Sequence, residues 1–297
     1  MRSTIVAFLL VPSLYALNNR SAVSVNGLDA NPCTVASPCR SFSAAVAATA
    51  AGGEVVALDS AGYGQVTIDR ALTLSGAPGA LASITGTSGF ALWVAANPTG
   101  AVTVRNLVIT ASGGAEGVRN DASTELRLIG CLIRGFTSAG VRGAGGDLWI
   151  DSTTVLGTGA GTGIDVFGVT GRPPVRATIL DSMIAGFQNG VQALAGGNVV
   201  INHCTVYGNN NGIYANPHLL DNAFITVERT SIVHNETGVR AAASGASVAL
   251  ITLSNNLFAF NNLGVFIETG GSIQTFGNNQ FGTNFLIGSN MSPIAFK

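Results

Sequence analysis

The chain has 297 residues, with 14 basic and 15 acidic side chains. Its net charge of −1 excludes the basic surplus that nucleic-acid binding demands. Charged residues make up 10%, apolar residues 47%, and 39 positions are glycine, a balance that excludes disorder. No apolar run reaches the roughly 18 residues of a transmembrane helix, and no composition break divides the chain, so a single repeat array explains it better than two ordinary domains.

Arg2 precedes an apolar run from Ile5 to Val11, followed by Pro12 and Ser13-Leu14-Tyr15-Ala16. Residues 1–16 therefore read as an export signal cut after Ala16, although Leu14 is bulky where a small residue is preferred. Residues 17–40 form an extended lead-in. Within it, Cys33 and Cys39 lie in the Pro-rich loop from Asn31 to Arg40, which an exported protein would close with a disulfide. Their spacing is unlike the paired C-x-x-C of zinc sites. The remaining residues, 41–297, are read as one solenoid with its caps.

Ser41 to Ala51 is the best helix candidate. Ser41 or Ser43 can cap it, its alanines favour it, and Gly52-Gly53 should stop it. Phe42, Val46 and Thr49 would share a face and cover the open end of the first coil. Short strands follow at Glu54–Leu58, Gln65–Ile68, Ala71–Leu74, Ala82–Ile84 and Gly89–Val94, separated by turns at Gly62-Tyr-Gly64, Gly76-Ala-Pro-Gly79 and Asn97-Pro-Thr-Gly100.

From Ala101 to Asn290 the sequence repeats. A Gly followed by an apolar residue recurs at Gly117-Val118, Gly140-Val141, Gly163-Ile164, Gly190-Val191, Gly212-Ile213, Gly238-Val239 and Gly264-Val265, at intervals of 23, 23, 27, 22, 26 and 26 residues. A β-like phrase precedes each of the last six pairs, from Leu126-Arg-Leu128 to Ile251-Thr-Leu253. Three residues beyond it stands Cys131, Thr153, Ser182, Cys204, Thr230 or Asn256. Phe136, Phe187, Asn209 and Asn235 mark a further column. A register held this long predicts ten to twelve stacked coils of parallel strands, with like residues piled on like. Gly and Asn at the corners supply or tolerate positive φ, and stacked polar side chains in the inward column satisfy one another. Cys131 and Cys204 share that column three coils apart, roughly 14 Å at ~4.8 Å per coil, too far for the ~7 Å reach of a disulfide. They are therefore expected to be free and buried. Longer coils carry insertions at 170–174, 216–222 and 243–246. Phe281, Phe285, Ile287, Ile294 and Phe296 are available to cover the last coil.

These coil lengths, the Gly-apolar pairs, the Cys/Ser/Thr/Asn column and the Ala-rich N-terminal helix resemble the right-handed parallel β-helix of the pectin-lyase-like superfamily. The lead segment is more specific. Asp29-Ala-Asn-Pro-Cys33, Ser37-Pro-Cys-Arg-Ser-Phe42, Ala51-Gly-Gly-Glu-Val-Val-Ala-Leu-Asp59 and Gly62-Tyr-Gly-Gln-Val-Thr-Ile68 are similar to a set of exported bacterial β-helix repeat proteins. The resemblance spans about residues 22–290. It implies an all-β, single right-handed parallel β-helix with an N-terminal capping α-helix, and export to the periplasm, cell surface or medium. It implies little about activity, because the superfamily holds lyases, hydrolases, esterases and members with no assigned reaction.

Lyases of this superfamily hold calcium with clustered carboxylates, whereas Asp147, Asp151, Asp165, Asp181 and Glu228 are scattered here, so neither metal nor cofactor is expected. The paired acids and short motifs of polygalacturonases are missing. Gly161-Thr-Gly-Ile-Asp165-Val-Phe-Gly168, followed by Arg172 and Arg176, is similar to a pectin methylesterase segment carrying a catalytic Asp. It departs from that pattern by an extra residue and lacks the partner Asp and upstream Gln; the repeat register alone accounts for the match. His203, His218 and His234 read as polar turn residues.

Binding is easier to argue. Side chains alternate along a strand, so the residue after each Gly-apolar pair should face outward: Arg119, Arg142, Asp165, Gln192, Tyr214, Arg240, Phe266. A second outward column reads Arg127, Trp149, Thr178, Val200, Thr226, Thr252, and Trp93 follows the same logic. Aromatic faces suit stacking on sugar rings, and Arg can pair with a uronate or sulfate. The candidate ligand contacts are Arg119, Arg127, Arg142, Trp149, Asp165, Gln192, Tyr214 and Arg240. The sequence thus points to an exported, non-catalytic protein that binds a polysaccharide or cell-surface glycan. A divergent polysaccharide lyase or hydrolase and a structural, self-associating solenoid remain as alternatives.

Overall fold

A computed structural model describes residues 17–95, 100–121, 125–168, 173–217 and 221–295. The expected export signal, His218, Phe296 and most of the 170–174 insertion lie outside these residues.

The chain begins with a strand, Asn18–Val23, paired parallel to the strand Thr49–Ala57. Between them Cys33 and Cys39 are bridged as expected. Asp29 then fixes the start of the helix, its carboxylate accepting from the Arg40 and Ser41 amides at 2.9 and 2.8 Å. Ser41 is the N-cap, its Oγ accepting from the Ala44 amide at 3.2 Å. The helix is shorter than the sequence suggests, Phe42–Ala47, because Thr49 to Ala57 joins the first sheet instead. The gain for those residues is ladder hydrogen bonding that a helix end would leave unmade. Phe42, Val46 and Thr49 are nonetheless all buried, sealing the end of the solenoid.

Beyond this cap the described residues form three parallel sheets of twelve, nine and ten strands. Each coil contributes one strand to each sheet in turn, so the nine-stranded sheet sets the number of complete coils. That is fewer than the ten to twelve expected, because the terminal coils reach only one or two of the sheets. Val118, Val141, Ile164, Val191, Ile213, Val239 and Val265 pair in unbroken register. All seven are fully buried. Burying each such side chain contributes about 1.5–3 kcal/mol. This pile is why a Gly-apolar period, repeated, specifies a coil.

The repeated glycines play a different part from the one expected. They lie inside strands and none has positive φ among the described residues. A Cβ on Gly140 would sit 2.7 Å from the Gly163 carbonyl oxygen, and one on Gly163 would sit 2.5 Å from that of Gly190. The glycines therefore let adjacent coils close on one another. The left-handed corners beside the inward polar column fall instead one residue before it, at Gly130, Ser152, Asp181, His203, Arg229 and Asn255.

Two internal polar columns hold these corners. In one, Thr153 receives the Cys131 amide at 3.2 Å, Ser182 that of Thr153 at 3.1 Å, and Asn256 that of Thr230 at 3.0 Å. In the other, Asn209, Asn235, Asn261 and Asn284 each accept the amide of the corresponding residue one coil earlier. Cys131 and Cys204 are free and buried, and burial pushes both thiols up to about 11. At the far end Phe281 packs on the core, but Phe285, expected to cover the last coil, is 83% exposed.

Candidate functional site

The outer face of the ten-stranded sheet carries the first predicted column as a single ladder. Trp93, Arg119, Arg142, Asp165, Gln192, Tyr214, Arg240 and Phe266 are strand partners on eight successive coils. A second row runs beside it, which the alternation rule did not reveal: Glu116, Ala139, Thr162, Asn189, Asn211 and Thr237, each just before a repeated glycine. Alternation breaks at the glycine, so positions three apart share this face. The signal was present in the same period, but the inward-outward count hid it.

The two rows are knitted together. Asp121 accepts from the Trp93 indole at 3.0 Å and from Arg119 Nε at 2.6 Å. Glu116 faces Arg119 and accepts from Arg142 at 2.8 Å. Gln192 Oε1 accepts from Thr162 at 3.2 Å and from Asn189 at 2.8 Å, and Asn189 accepts from Asn211 at 2.8 Å. Arg240 reaches Asn211 at 3.5 Å, binds Glu268 at 2.6 Å and lies 4.8 Å over the Tyr214 ring. The arginines, expected to be available for a ligand's acidic groups, are therefore each compensated by a carboxylate brought from another coil or another part of the same one.

The network has one gap. Among the described residues, Arg142 Nε and Asp165 Oδ1 are the two buried side-chain polar atoms without a hydrogen-bond partner, and they belong to paired residues on adjacent coils. Phe167, on the same coil as Asp165, places its ring 4.8 Å from the Arg142 guanidinium. Burial raises the Asp165 carboxyl to about 6; Arg142 opposes that rise and Glu116 adds to it. A half-buried acid that changes protonation near neutral pH, beside a cation with a donor to spare, can exchange a proton or hydrogen-bond a hydroxyl group.

Arg127 and Trp149, predicted in the same set, stand on a different face. They belong to the outer ladder of the twelve-stranded sheet, with Thr103, Thr178, Val200, Thr226 and Thr252. The eight predicted contacts thus divide six to two between faces that no single ligand segment spans side by side. Arg127 is held by Glu125 at 2.7 Å, and Trp149 is 36% exposed. The dispersed acids remain apart as well: Asp147 pairs with Arg176, Asp151 with Ser152, and Asp181 with His203.

The stacked parallel coils define a β-solenoid, and the family description "right handed beta helix region" matches residues 94–281. The chain belongs to this right-handed β-helix family. Its fold is that of the pectin-lyase-like proteins, as three solved structures show. Pectate lyase Pel9A aligns with a TM-score of 0.68 at 13% identity, covering 95% of this chain and 79% of the lyase. XylC in complex with xylose aligns at 0.70 and 9% identity, covering 89% and 70%. Alginate lyase from Paenibacillus sp. str. FPU-7 aligns at 0.63 and 13% identity, covering 93% and 100%. At these identities the likeness establishes the fold and leaves the activity open. No curated protein matches the chain in sequence.

Proposed function

We propose that this protein is an exported polysaccharide-binding β-helix that lays a glycan strand along the outer face of its ten-stranded sheet. The carrying observation is the ladder itself: planar and hydrogen-bonding side chains repeat on eight coils in one register. The coil rise of ~4.8 Å is close to one sugar unit, so a chain laid lengthwise meets an equivalent position at every step. Pre-formed hydrogen bonds hold Gln192, Asn189 and Arg240 in place, which lowers the ordering cost of binding. The fold neighbours, a pectate lyase, an alginate lyase and XylC bound to xylose, support a saccharide as the ligand class. The bridged Cys33–Cys39 loop suits an oxidising, extracellular setting.

Affinity electrophoresis through gels containing acidic and neutral polysaccharides tests the reading. Retardation is expected, and Tyr214→Ala or Gln192→Ala should weaken it about tenfold, the effect of losing roughly 1.4 kcal/mol of contact. Equal mobility of wild type and both variants in every retarding gel defeats the proposal.

A second reading has one specific observation behind it. The partnerless Asp165 oxygen and the upward displacement of its carboxyl to about 6 suit general acid–base catalysis on the bound chain. New reducing ends or an unsaturated product, lost in Asp165→Asn and varying with pH through the Asp165 range, would support it.

A further inference from the structure

The twelve-stranded sheet bears a depression that belongs to neither reading above. It has a volume of about 530 Å³ and is lined by Glu125, Gly145, Gly146, Asp147, Pro173, Pro174, Arg176 and Asn198. That volume falls within the ~300–1,000 Å³ typical of small-ligand sites. Its lining comes from four neighbouring coils, with Gly145, Gly146, Pro173 and Pro174 lying just before the strands Leu148–Asp151 and Val175–Leu180.

Three features define what it would accept. Asp147 immediately precedes the strand Leu148–Asp151 and its carbonyl continues the ladder to the Leu126 amide, so Trp149, two residues on, shares its face about 7 Å away. An exposed indole beside a polar depression can stack on a pyranose or furanose ring while a nearby unit of the same chain is hydrogen-bonded. The charges around the depression are already balanced. Arg176 Nε donates to both Asp147 oxygens at 3.1 Å, and Arg127 donates to Glu125 at 2.9 and 2.7 Å. A uronate or sulfate entering here would have to displace a carboxylate from its arginine, whereas a hydroxyl group can accept from and donate to the pairs as they stand. The side-chain amide of Asn198 lines the same depression and has no hydrogen-bond partner among the described residues, which leaves a neutral donor and acceptor for a vicinal diol.

We infer that this depression and Trp149 form a second saccharide site, selective for a neutral glycan, on a face separate from the ten-stranded ladder. The two sites can act independently, so variants separate them.

The test uses the purified full chain in affinity gels containing xylan, galactomannan or mixed-linkage β-glucan, with pectate and alginate alongside. Retardation by at least one neutral polysaccharide is expected. Trp149→Ala and Asn198→Ala should each weaken it about tenfold, and Tyr214→Ala, on the other face, should leave that dissociation constant within about twofold. Circular dichroism confirms that each variant is folded, and Trp149→Phe, which keeps a ring, should recover most of the affinity. The inference is overturned if only pectate or alginate retards the protein, if no neutral polysaccharide does, or if Trp149→Ala and Asn198→Ala bind like the wild type. Loss in Tyr214→Ala alone would leave the ladder as the saccharide site and remove this one.

Discussion

Two polar columns run along the same solenoid under opposite conditions. Inside, at the corner between the nine- and ten-stranded sheets, Asn209, Asn235 and Asn261 are buried, and each uses both ends of its amide. Asn235 Oδ1 accepts from the Asn209 amide nitrogen and from its side chain, each at 3.0 Å, while its Nδ2 serves the Val206 and Val233 carbonyls. Outside, on the ten-stranded face, Arg142 donates through Nη1 to Glu116, but two buried atoms among the described residues, Arg142 Nε and Asp165 Oδ1, have no partner. The inner column repeats because every deletion would leave an unpaired group in a low-dielectric interior. The outer one tolerates a missing partner at a single place, and a missing partner is what a ligand can supply.

The most damaging way to break this contrast is to cut the inner column. Asn235→Ala strands the Asn209 amide and two carbonyls, and about 3 kcal/mol of unfolding free energy should be lost. Urea unfolding measures it directly. A loss below about 1 kcal/mol would mean that water or a shifted neighbour replaces the amide, and that the column is not what fixes the corner.

Replacing the outer acid should have the opposite sign. The Asp165 carboxyl is raised to about 6 in the folded chain from an ordinary 3.8, so the folded state holds its proton longer than the unfolded one. Below about pH 4 both states are protonated and the group has no effect. As pH rises toward 6 the unfolded state releases the proton first, stability falls, and above 6 the penalty is complete. Asp165→Asn should therefore stabilise the protein by about 2 kcal/mol at pH 7.5, allowing for residual solvent, and by almost nothing at pH 4. A stabilisation independent of pH would show that packing, not ionisation, is responsible. A gain in stability coupled to a loss of glycan binding would mark the penalty as the cost of a working site.

How far the sequence could have led to these columns depends on the range of the physics involved. The pile from Val118 to Val265 was legible because burial acts on each residue in turn and leaves a strict period. The Cys/Thr/Ser/Asn column was legible for the same reason. The role of Gly140 and Gly163 was not: a coil-to-coil approach so close that an added Cβ would lie 2.5–2.7 Å from the next coil's carbonyl leaves no mark distinguishable from a turn glycine. The pairing of Arg142 with Glu116 and of Arg240 with Glu268 was hidden too, since each joins residues 26 or 28 positions apart whose meeting depends on the exact coil length. Asp165 is legible as one more outward residue of the ladder, and the repeat register alone accounts for its likeness to a catalytic segment. Its register was indeed ordinary, and its distinction lies wholly in the desolvation and the absent partner that three-dimensional packing creates.

The smallest predicted effect probes the other internal column, at the corner between the twelve- and nine-stranded sheets. Its rungs are not equal. Thr153, Ser182, Thr230 and Asn256 each offer an oxygen, whereas Cys131 and Cys204 offer sulfur, a weak acceptor. The Thr153 amide finds Ser182 Oγ at 3.1 Å and the Cys204 amide finds Thr230 Oγ1 at 3.3 Å, but the Ser182 amide bonds to the Cys204 sulfur. Cys204→Thr places an oxygen there with the same residue type that Thr153 and Thr230 already accommodate. The gain should be about 0.5–1 kcal/mol, one net hydrogen bond, seen as a shift in the urea midpoint without a change in slope. If the variant is instead destabilised, the cysteines are there for shape: sulfur would be filling a width in the coil that a hydroxyl and a methyl cannot share, and the column would be a packing device at those two rungs and a hydrogen-bonding device at the others.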